Sequence, residues 1–206
     1  MSDQPAAART AFKAPFKTVF EVGSAALERA QAIADTFQRA IAPATADVDF
    51  GEVSRAASAV PEGSTVKIVR GWGLQETAPI GVLVMSLREA LRQALPQPFD
   101  HPAFWEKAEA ALTEVFVGLR DQDGAHFSVH GDSPDSTSYR YNLLFTVQDE
   151  DSGGSLYAVA FCINITIALS PDKIGALNMD DVAQCAIRVN AITVRQPVPT
   201  TACAQQ

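Results

Sequence analysis

Two neighbouring stretches of the chain alternate between bulky apolar residues and small or polar ones. In residues 156–169 the bulky positions are Tyr157, Val159, Phe161, Ile163, Ile165, Ile167 and Leu169. In residues 139–148 the corresponding positions are Tyr139, Tyr141, Leu143, Phe145 and Val147. A period of two is that of a β-strand, whose side chains point alternately to opposite faces. Asp and Gly in the intervening segment 149–154 favour a tight turn. The pattern therefore predicts a long β-hairpin.

The second strand of this predicted hairpin is unusually long. At ~3.3 Å per residue it extends to roughly 45 Å, whereas the hydrocarbon core of a bilayer is ~30 Å thick. The hairpin is therefore long enough to cross a membrane. The same pattern also suits the core of a globular protein, and the overall composition favours that second interpretation.

Apolar residues at spacings of three and four predict two pairs of helices. The first pair covers residues 24–41, with Ser24 as the N-cap and Pro43 ending the helix, and a segment from Asp47 or Asp49 to 59. The second pair covers residues 80–95 and 101–119. Additional strands are predicted over 16–22, 65–73, 125–130 and 185–194, with a polar loop over 131–138. A strand that is apolar on both sides belongs in a sheet covered on both faces, and the two helix pairs supply the covers. We therefore expect an α+β fold with an antiparallel sheet.

The organisation along the chain predicts one folded domain. Residues 1–15 are interpreted as a flexible leader, 16–198 as the domain and 199–206 as a disordered tail. The leader has no apolar stretch of the kind that signal peptides carry, and no run of 18 apolar residues is present. We therefore expect a protein that is made soluble, without a signal peptide, and that is released or secreted.

Charge and composition exclude some partners. Hydrophobic residues make up 47% of the chain and charged residues 19%, while the formal net charge is −8. A nucleic-acid-binding protein would carry clustered Lys and Arg, so nucleic acid is not an expected partner. The net charge also disfavours docking on anionic lipid by charge alone. Attraction to a membrane would have to be apolar or directed at zwitterionic head groups.

Candidate chemistry is sparse. His126 and His130 share one strand face with Asp132 nearby, which suits either a metal or ordinary exposed strand residues, and we favour the latter. Motifs for nucleophilic catalysis and phosphate binding are absent from the sequence. We therefore expect no cofactor, no metal and no enzymatic activity.

The cysteines leave one alternative open. Cys162 and Cys185 lie inside predicted strands and are interpreted as small buried hydrophobic residues. The remaining thiol, Cys203, lies in the predicted tail and is the candidate for a reactive or acylated group.

Residues 139–159 resemble a known family, the Cyt cytolytic delta-endotoxins. They read YRYNLLFTVQDEDSGGSLYAV, similar to that family's Tyr-x-Tyr-Asn strand with its aliphatic–Leu-Phe continuation and the Gly-Gly-x-x-Tyr that opens the partner strand. Residues 34–43 and the following Asp49–Phe50–Gly51 resemble the end of the family's first helix and the segment after it. The order of predicted elements fits over residues 16–198.

The resemblance implies a single-domain, three-layer α–β–α fold in which two helix hairpins wrap a central antiparallel sheet. It also implies a toxin that binds the phospholipid membrane of a target cell directly. Permeabilisation would follow by pore formation or detergent-like disruption, with self-association on the membrane and with a dimer in solution left open. The alternative is a non-lytic, virulence-associated lipid-binding protein on the same fold, acylated on a cysteine.

The residues expected to meet lipid come from the third helix and the hairpin. The helix contributes Ile80, Val82, Leu83, Val84 and Leu87, and the hairpin contributes Phe145, Tyr157, Val159, Phe161, Ile163, Ile165 and Ile167. Proteolytic processing is expected at Arg9, Lys13 or Lys17.

Overall fold

Two pairs of helices enclose a sheet of six strands in the computed structural model, which describes residues 14–39, 41, 48–96, 99–122, 124–149 and 154–199. The strands are β1 (Lys17–Glu21), β2 (Ser64–Pro79), β3 (Phe127–Ser133), β4 (Ser136–Asp149), β5 (Ser155–Ile167) and β6 (Val182–Gln196). The helices are α1 (Leu27–Arg39), α2 (Phe50–Ala59), α3 (Ile80–Ala94), α4 (Pro102–Thr113) and the short α5 (Pro171–Ile174). The predicted α+β, three-layer arrangement is confirmed.

The strand order is β1-β4-β5-β6-β2, and β3 pairs with the other half of β4. The predicted hairpin is present, with β4 and β5 in register from Thr137↔Ile167 to Asp149↔Ser155. Four pairings are antiparallel, but β1 runs parallel to β4, so the sheet is mixed rather than purely antiparallel. Two helix pairs separate β1 from β4 along the chain, so no tight turn imposes antiparallel pairing on them.

The two faces of the sheet carry different residues and have different covers. We call the face that contains Phe145 and Phe161 the bulky face and the face that contains Ala158 and Ala160 the small face. The bulky face packs in one apolar cluster with α3 and α4. The small face packs with α1 and α2, but only as far as Cys162 on β5. The two-residue period in the sequence therefore corresponds to two separate cores.

The helix ends differ in detail from the sequence-based expectations. Ser24 is not an N-cap, because it begins a 3-10 turn (Ser24–Ala26) that precedes α1, and Gly23 occupies the cap position. Asp49, one of the two predicted starts of the next helix, is the N-cap of α2, since its side chain accepts a hydrogen bond from the Gly51 N–H at 2.9 Å. The predicted stop at Pro43 and the alternative start at Asp47 lie outside the described residues.

The helix predicted over 101–119 ends early, at Thr113. Gly118 adopts φ 76° in the turn that follows, and a 3-10 turn (Leu119–Asp121) comes next. A left-handed backbone conformation of this kind favours glycine and cannot continue an α-helix. Val115 and Phe116 nevertheless remain buried in the turns. The prediction of a helix is therefore correct up to Thr113, and the apolar residues that follow belong to the core but not to the helix.

Several strand predictions were also too short. The strand predicted over 65–73 extends to Pro79, where α3 begins directly. The predicted polar loop 131–138 is a tight connection, because β3 and β4 remain paired up to Ser133↔Ser136. The polar residues of this segment were wrongly interpreted as a long loop, because β3 lies at an edge of the sheet, where the side chains of a strand can face solvent.

The bulky face should dominate stability. Phe161 is fully buried and packs edge-on against Phe145, with ring centroids 6.2 Å apart. Phe161→Ala should lower the free energy of unfolding by about 3–5 kcal/mol, measured by urea denaturation. Val82→Ala, at an exposed site, is the control and should change stability by less than about 0.5 kcal/mol. Equal effects of the two substitutions would contradict this assignment of the core.

Candidate membrane-interaction site

The start of α3 is held by the segment that leads into β6. The Ile80 N–H donates to the Asp181 carbonyl and the Gly81 N–H donates to the Met179 carbonyl, each at 2.9 Å. The cap residue, Pro79, supplies no side-chain acceptor. The first N–H groups of a helix have no partner within the helix, so these two bonds fix α3 at one end of the sheet.

The structure divides the α3 residues that were expected to meet lipid. Ile80, Leu83, Val84 and Leu87 are buried and form the stripe that packs on the sheet. Val82 points to the other side of the helix and is 45% exposed. Of the five, only Val82 contacts solvent in the folded chain.

Three further apolar residues near the start of α3 are also exposed, which the sequence did not reveal. Met85 is 49% exposed, Met179 37% and Val182 62%. Met179 lies against Gly81, and Val182 is the β6 partner of Pro79, so both come next to the start of α3. We call Val82, Met85, Met179 and Val182 the α3-start patch. The spacing of Val82 and Met85 hinted at a shared helix face, but the contribution from residues 179–182 depends on tertiary contacts.

The hairpin residues expected to meet lipid are all covered. Phe145, Val159, Phe161, Ile163, Ile165 and Ile167 have at most 1% of their surface exposed, and Tyr157 has 6%. They lie beneath α3 and α4, where Phe104 contacts Phe145 with ring centroids 5.9 Å apart. These residues can therefore meet lipid only if the α3–α4 layer moves.

A small number of polar contacts join that layer to the sheet. The Thr193 hydroxyl on β6 donates to the Ala94 carbonyl at the end of α3, at 2.6 Å. The Tyr139 hydroxyl on β4 donates to the Val115 carbonyl just after α4, at 3.0 Å. At the edge, Lys107 on α4 forms an ion pair with Glu21 at 2.6 Å. Most of the remaining contact is between apolar side chains, which impose no fixed geometry.

Two further polar contacts involve the outer side of the layer. Lys17 on β1 forms an ion pair with Glu114, and partial burial lowers the pKa of Lys17. Lys17 was predicted as a processing site, and it is the first residue of β1, which is paired with β4. The other two predicted processing sites, Arg9 and Lys13, lie outside the described residues. Within the layer, Arg88 on α3 stacks over Trp105 on α4, 5.3 Å from the ring centroid.

Burial alters the titration of several core groups. It raises the pKa of Tyr139 well above its usual value, with smaller contributions from Cys185 and Tyr141. It raises the pKa of Tyr141, Cys162 and Cys185 to about 12 in each case. Both thiols are free and buried, as predicted, and remain protonated at neutral pH. The third cysteine, Cys203, lies outside the described residues.

The histidines considered as metal ligands have separate surroundings. His126 lies 3.2 Å from the Gln122 side chain and packs edge-on against Tyr141. His130 is exposed on β3. Across the part of the chain that the structure describes, no three His, Cys, Asp or Glu side chains come close enough together to hold a metal ion.

Length also limits the described helices. The longest of them, α3, has 15 residues. None of the helices in the described ranges combines the length and apolar character that crossing a bilayer requires.

Comparison with known proteins places this architecture in a family. A family model described as Bacillus thuringiensis toxin matches residues 8–205. The type-2Aa cytolytic delta-endotoxin of Bacillus thuringiensis subsp. kyushuensis is 29% identical over 182 residues, which cover 88% of this chain and 70% of the relative.

Two solved structures share the fold. The activated Cyt2Ba monomer from Bacillus thuringiensis subsp. israelensis superposes with a TM-score of 0.83 at 24% identity, covering 90% of this chain and all of that one. A second delta-endotoxin structure also gives 0.83, at 27% identity, covering 91% of this chain and 83% of the other. Because the family match spans nearly the whole sequence, the chain belongs to the Bacillus thuringiensis toxin family, the cytolytic delta-endotoxins of the Cyt type.

Proposed function

We propose that this chain is a cytolysin that binds phospholipid membranes and permeabilises them after the α3–α4 layer separates from the sheet. The observation that carries the proposal is the covered bulky face. On β5 it is apolar from Tyr157 to Ile167, a span of 11 residues, and ~30 Å of hydrocarbon needs ~9–11 residues of a tilted strand. In water α3 and α4 keep this face dry, and in a bilayer acyl chains take their place.

First contact with the membrane is assigned to the α3-start patch. Its four side chains are the exposed apolar residues nearest to the start of α3, the helix that must move. Exposed apolar side chains of this kind gain free energy on entering the interface. The net charge of −8 directs the protein to zwitterionic rather than anionic surfaces.

Insertion of strands requires several copies of the chain. An isolated hairpin in hydrocarbon leaves backbone N–H and C=O groups unpaired, at a cost of several kcal/mol each. Strand β2 offers an edge for association, because within the described residues its 16-residue length pairs on one side only, with β6. The opposite edge is formed by β1 and β3. Pairing of β2 with this second edge on another copy would extend the sheet, and the detergent-like mechanism would not need it.

A second candidate function is non-lytic lipid binding on the same fold. The α3-start patch favours it, because these residues are exposed without any movement of α3 and α4. The buried Cys162 and Cys185 do not favour anchoring by acylation, since a protonated thiol inside the core is a poor nucleophile. In either case we propose that the released protein acts at the membrane of a target cell.

A reversible tether between α3 and the sheet tests the movement directly. Ala94 and Thr193 are in contact through their hydrogen bond, and both are replaced by Cys in a Cys203→Ser background. The oxidised form should release dye from phosphatidylcholine vesicles more than about tenfold more slowly than the reduced form, because the disulfide retains α3 on the sheet.

The control joins the two helices to each other instead. Arg88 and Glu109, an ion pair between α3 and α4, are both replaced by Cys and joined by a short bis-maleimide. This variant keeps a layer that moves as a unit and should release dye normally. Equal rates for the oxidised and reduced Ala94–Thr193 pair would exclude displacement of the layer. Binding without release by the untethered protein would favour the non-lytic function.

Removing the Thr193 hydrogen bond is a second test, which should speed dye release where the tether slows it. Thr193→Val keeps the shape of the side chain but leaves the Ala94 carbonyl without a partner, which should cost about 1–3 kcal/mol in urea denaturation. If separation of the α3–α4 layer from the sheet limits the rate of dye release, that rate should increase roughly tenfold for each 1.4 kcal/mol of stability lost. Thr77→Val, on the exposed edge strand, is the matched control. Lower stability with unchanged release would show that another step limits the rate.

High pH should loosen the core. The raised pKa values mean that Tyr139, Tyr141, Cys162 and Cys185 lose protons more easily in the unfolded chain than in the folded one. Their contribution is complete below the unfolded values, about 8.5 for Cys and about 10 for Tyr, and is lost as pH rises toward the folded values. The urea concentration at the midpoint of unfolding should therefore decrease as the pH is raised from about 8.5 to about 12. Cys185→Ala should make this decline shallower, and an unchanged slope would contradict the assignment.

A further inference from the structure

One half of the small face has no helix over it among the described residues. The apolar cluster under α1 and α2 reaches Cys162 on β5, and the next residues on that face are Asn164 and Thr166. Strands β2 to β6 border an open groove of about 670 Å³ there, which is lined in part by Gln75, His130, Arg140, Asn164, Thr166 and Arg188. Its volume is in the range of small-ligand sites.

Two arginines flank an asparagine across the floor of this groove. Arg140, Asn164 and Arg188 are register partners on β4, β5 and β6, so they form one row on one face. With strands ~4.8 Å apart, the two arginine Cα atoms are roughly 10 Å from each other. The Arg140 Nε donates to the Asn164 Oδ1 at 3.0 Å, which orients the first guanidinium in the row.

The charge of the groove is opposite to that of the chain. The sequence contains 24 acidic and 16 basic residues, yet no Asp or Glu is among the described residues that line the groove. Arg188 is exposed and forms no ion pair with a carboxylate in the described part of the chain. The groove is thus a local cationic site on an acidic protein.

This arrangement suits a phosphate group. Guanidinium groups bind phosphate oxygens in pairs with fixed geometry, which an ammonium group cannot do. On the next row the hydroxyls of Ser138 and Thr166 are hydrogen-bonded to each other at 2.8 Å, which leaves one hydroxyl hydrogen to donate to a ligand. The residues that line the groove include no Trp, Tyr or Phe against which a sugar ring or a choline group could stack.

We propose that the groove binds the phosphate of a zwitterionic phospholipid head group between Arg140 and Arg188. The inference rests on the proposed membrane function and names the head-group chemistry that this surface recognises. The net charge of −8 repels ligands and surfaces of net negative charge, while a head group that carries its own cation is not repelled as a whole. The groove is also open along the sheet, as suits a group presented on a surface.

The test compares phospholipid with a bilayer that lacks phosphate. Binding of the full chain to vesicles of phosphatidylcholine and of digalactosyldiacylglycerol is measured by flotation. Arg188→Gln should weaken binding to phosphatidylcholine by roughly tenfold, the loss expected for a charged hydrogen bond, and leave binding to the galactolipid unchanged. Arg188→Lys keeps the charge without the paired donors, and its binding to phosphatidylcholine should be weaker than that of the wild type and stronger than that of Arg188→Gln.

The matched control is Arg55→Gln, which removes the same charge from the exposed surface of α2. It should bind both kinds of vesicle as the wild type does. Equal binding of Arg188→Gln and wild type to phosphatidylcholine overturns the groove assignment, as does an equal loss on both lipids.

Two further readouts separate this proposal from the proposed function. If the wild type releases dye and Arg188→Gln binds phosphatidylcholine as the wild type does, the cytolysin proposal stands and the proposed phosphate site is excluded. If the wild type binds no vesicles, the proposed function fails. The groove is then tested by titrating monomeric dihexanoylphosphatidylcholine and following the nitrogen resonances of the Arg188 side chain. A saturable shift that is absent in Arg188→Gln supports the site, and no shift overturns it.

Discussion

Burial of the bulky face is the constraint on which the rest of this structure depends. Strands β4, β5 and β6 carry a largely apolar surface, rich in Tyr, Phe, Ile and Val side chains, that must be kept from water. The free energy of that burial depends on the apolar area removed from water and not on what covers it. Helices α3 and α4 provide the cover in solution, and a bilayer offers a chemically equivalent one. On the proposed function, the same property that stabilises the folded chain also allows the second arrangement in the membrane.

The two helix layers are not equivalent. On the bulky side the buried hydroxyls of Tyr139, Thr137 and Thr193 all have hydrogen-bond acceptors. On the small side, one buried side-chain atom each of Asn142, Thr146 and Gln196 has no hydrogen-bond partner among the described residues. Unpaired buried polar atoms cost about 1–3 kcal/mol each, so the α1–α2 layer gains less from covering its half of the sheet. The small face is also polar beyond Cys162, where that cover stops.

The sequence carried enough information to predict the layers but not all of their edges. A two-residue period over 139–169 predicted the hairpin, and its continuous apolar character predicted a sheet covered on both sides. The early end of α4 depends on Gly118 adopting a left-handed conformation, which apolar spacing cannot reveal. The parallel pairing of β1 was missed because its partner lies more than a hundred residues away. Local patterns specify which residues are buried, whereas the direction of an edge strand is decided by tertiary contacts.

The two candidate surfaces show the same limit at the level of single residues. Val82 was predicted from the apolar start of α3, but Met179 and Val182 join it only because two backbone hydrogen bonds bring residues 179–181 against that helix. In the groove, Asn164 lies 24 residues after Arg140, and Arg188 lies 24 residues after Asn164. No sequence motif connects the three. Antiparallel register alone places them in one row. The change from Ala158 and Ala160 to Asn164 and Thr166 along β5 is visible in the sequence, and it marks where a face made to pack against helices becomes a face available to a ligand.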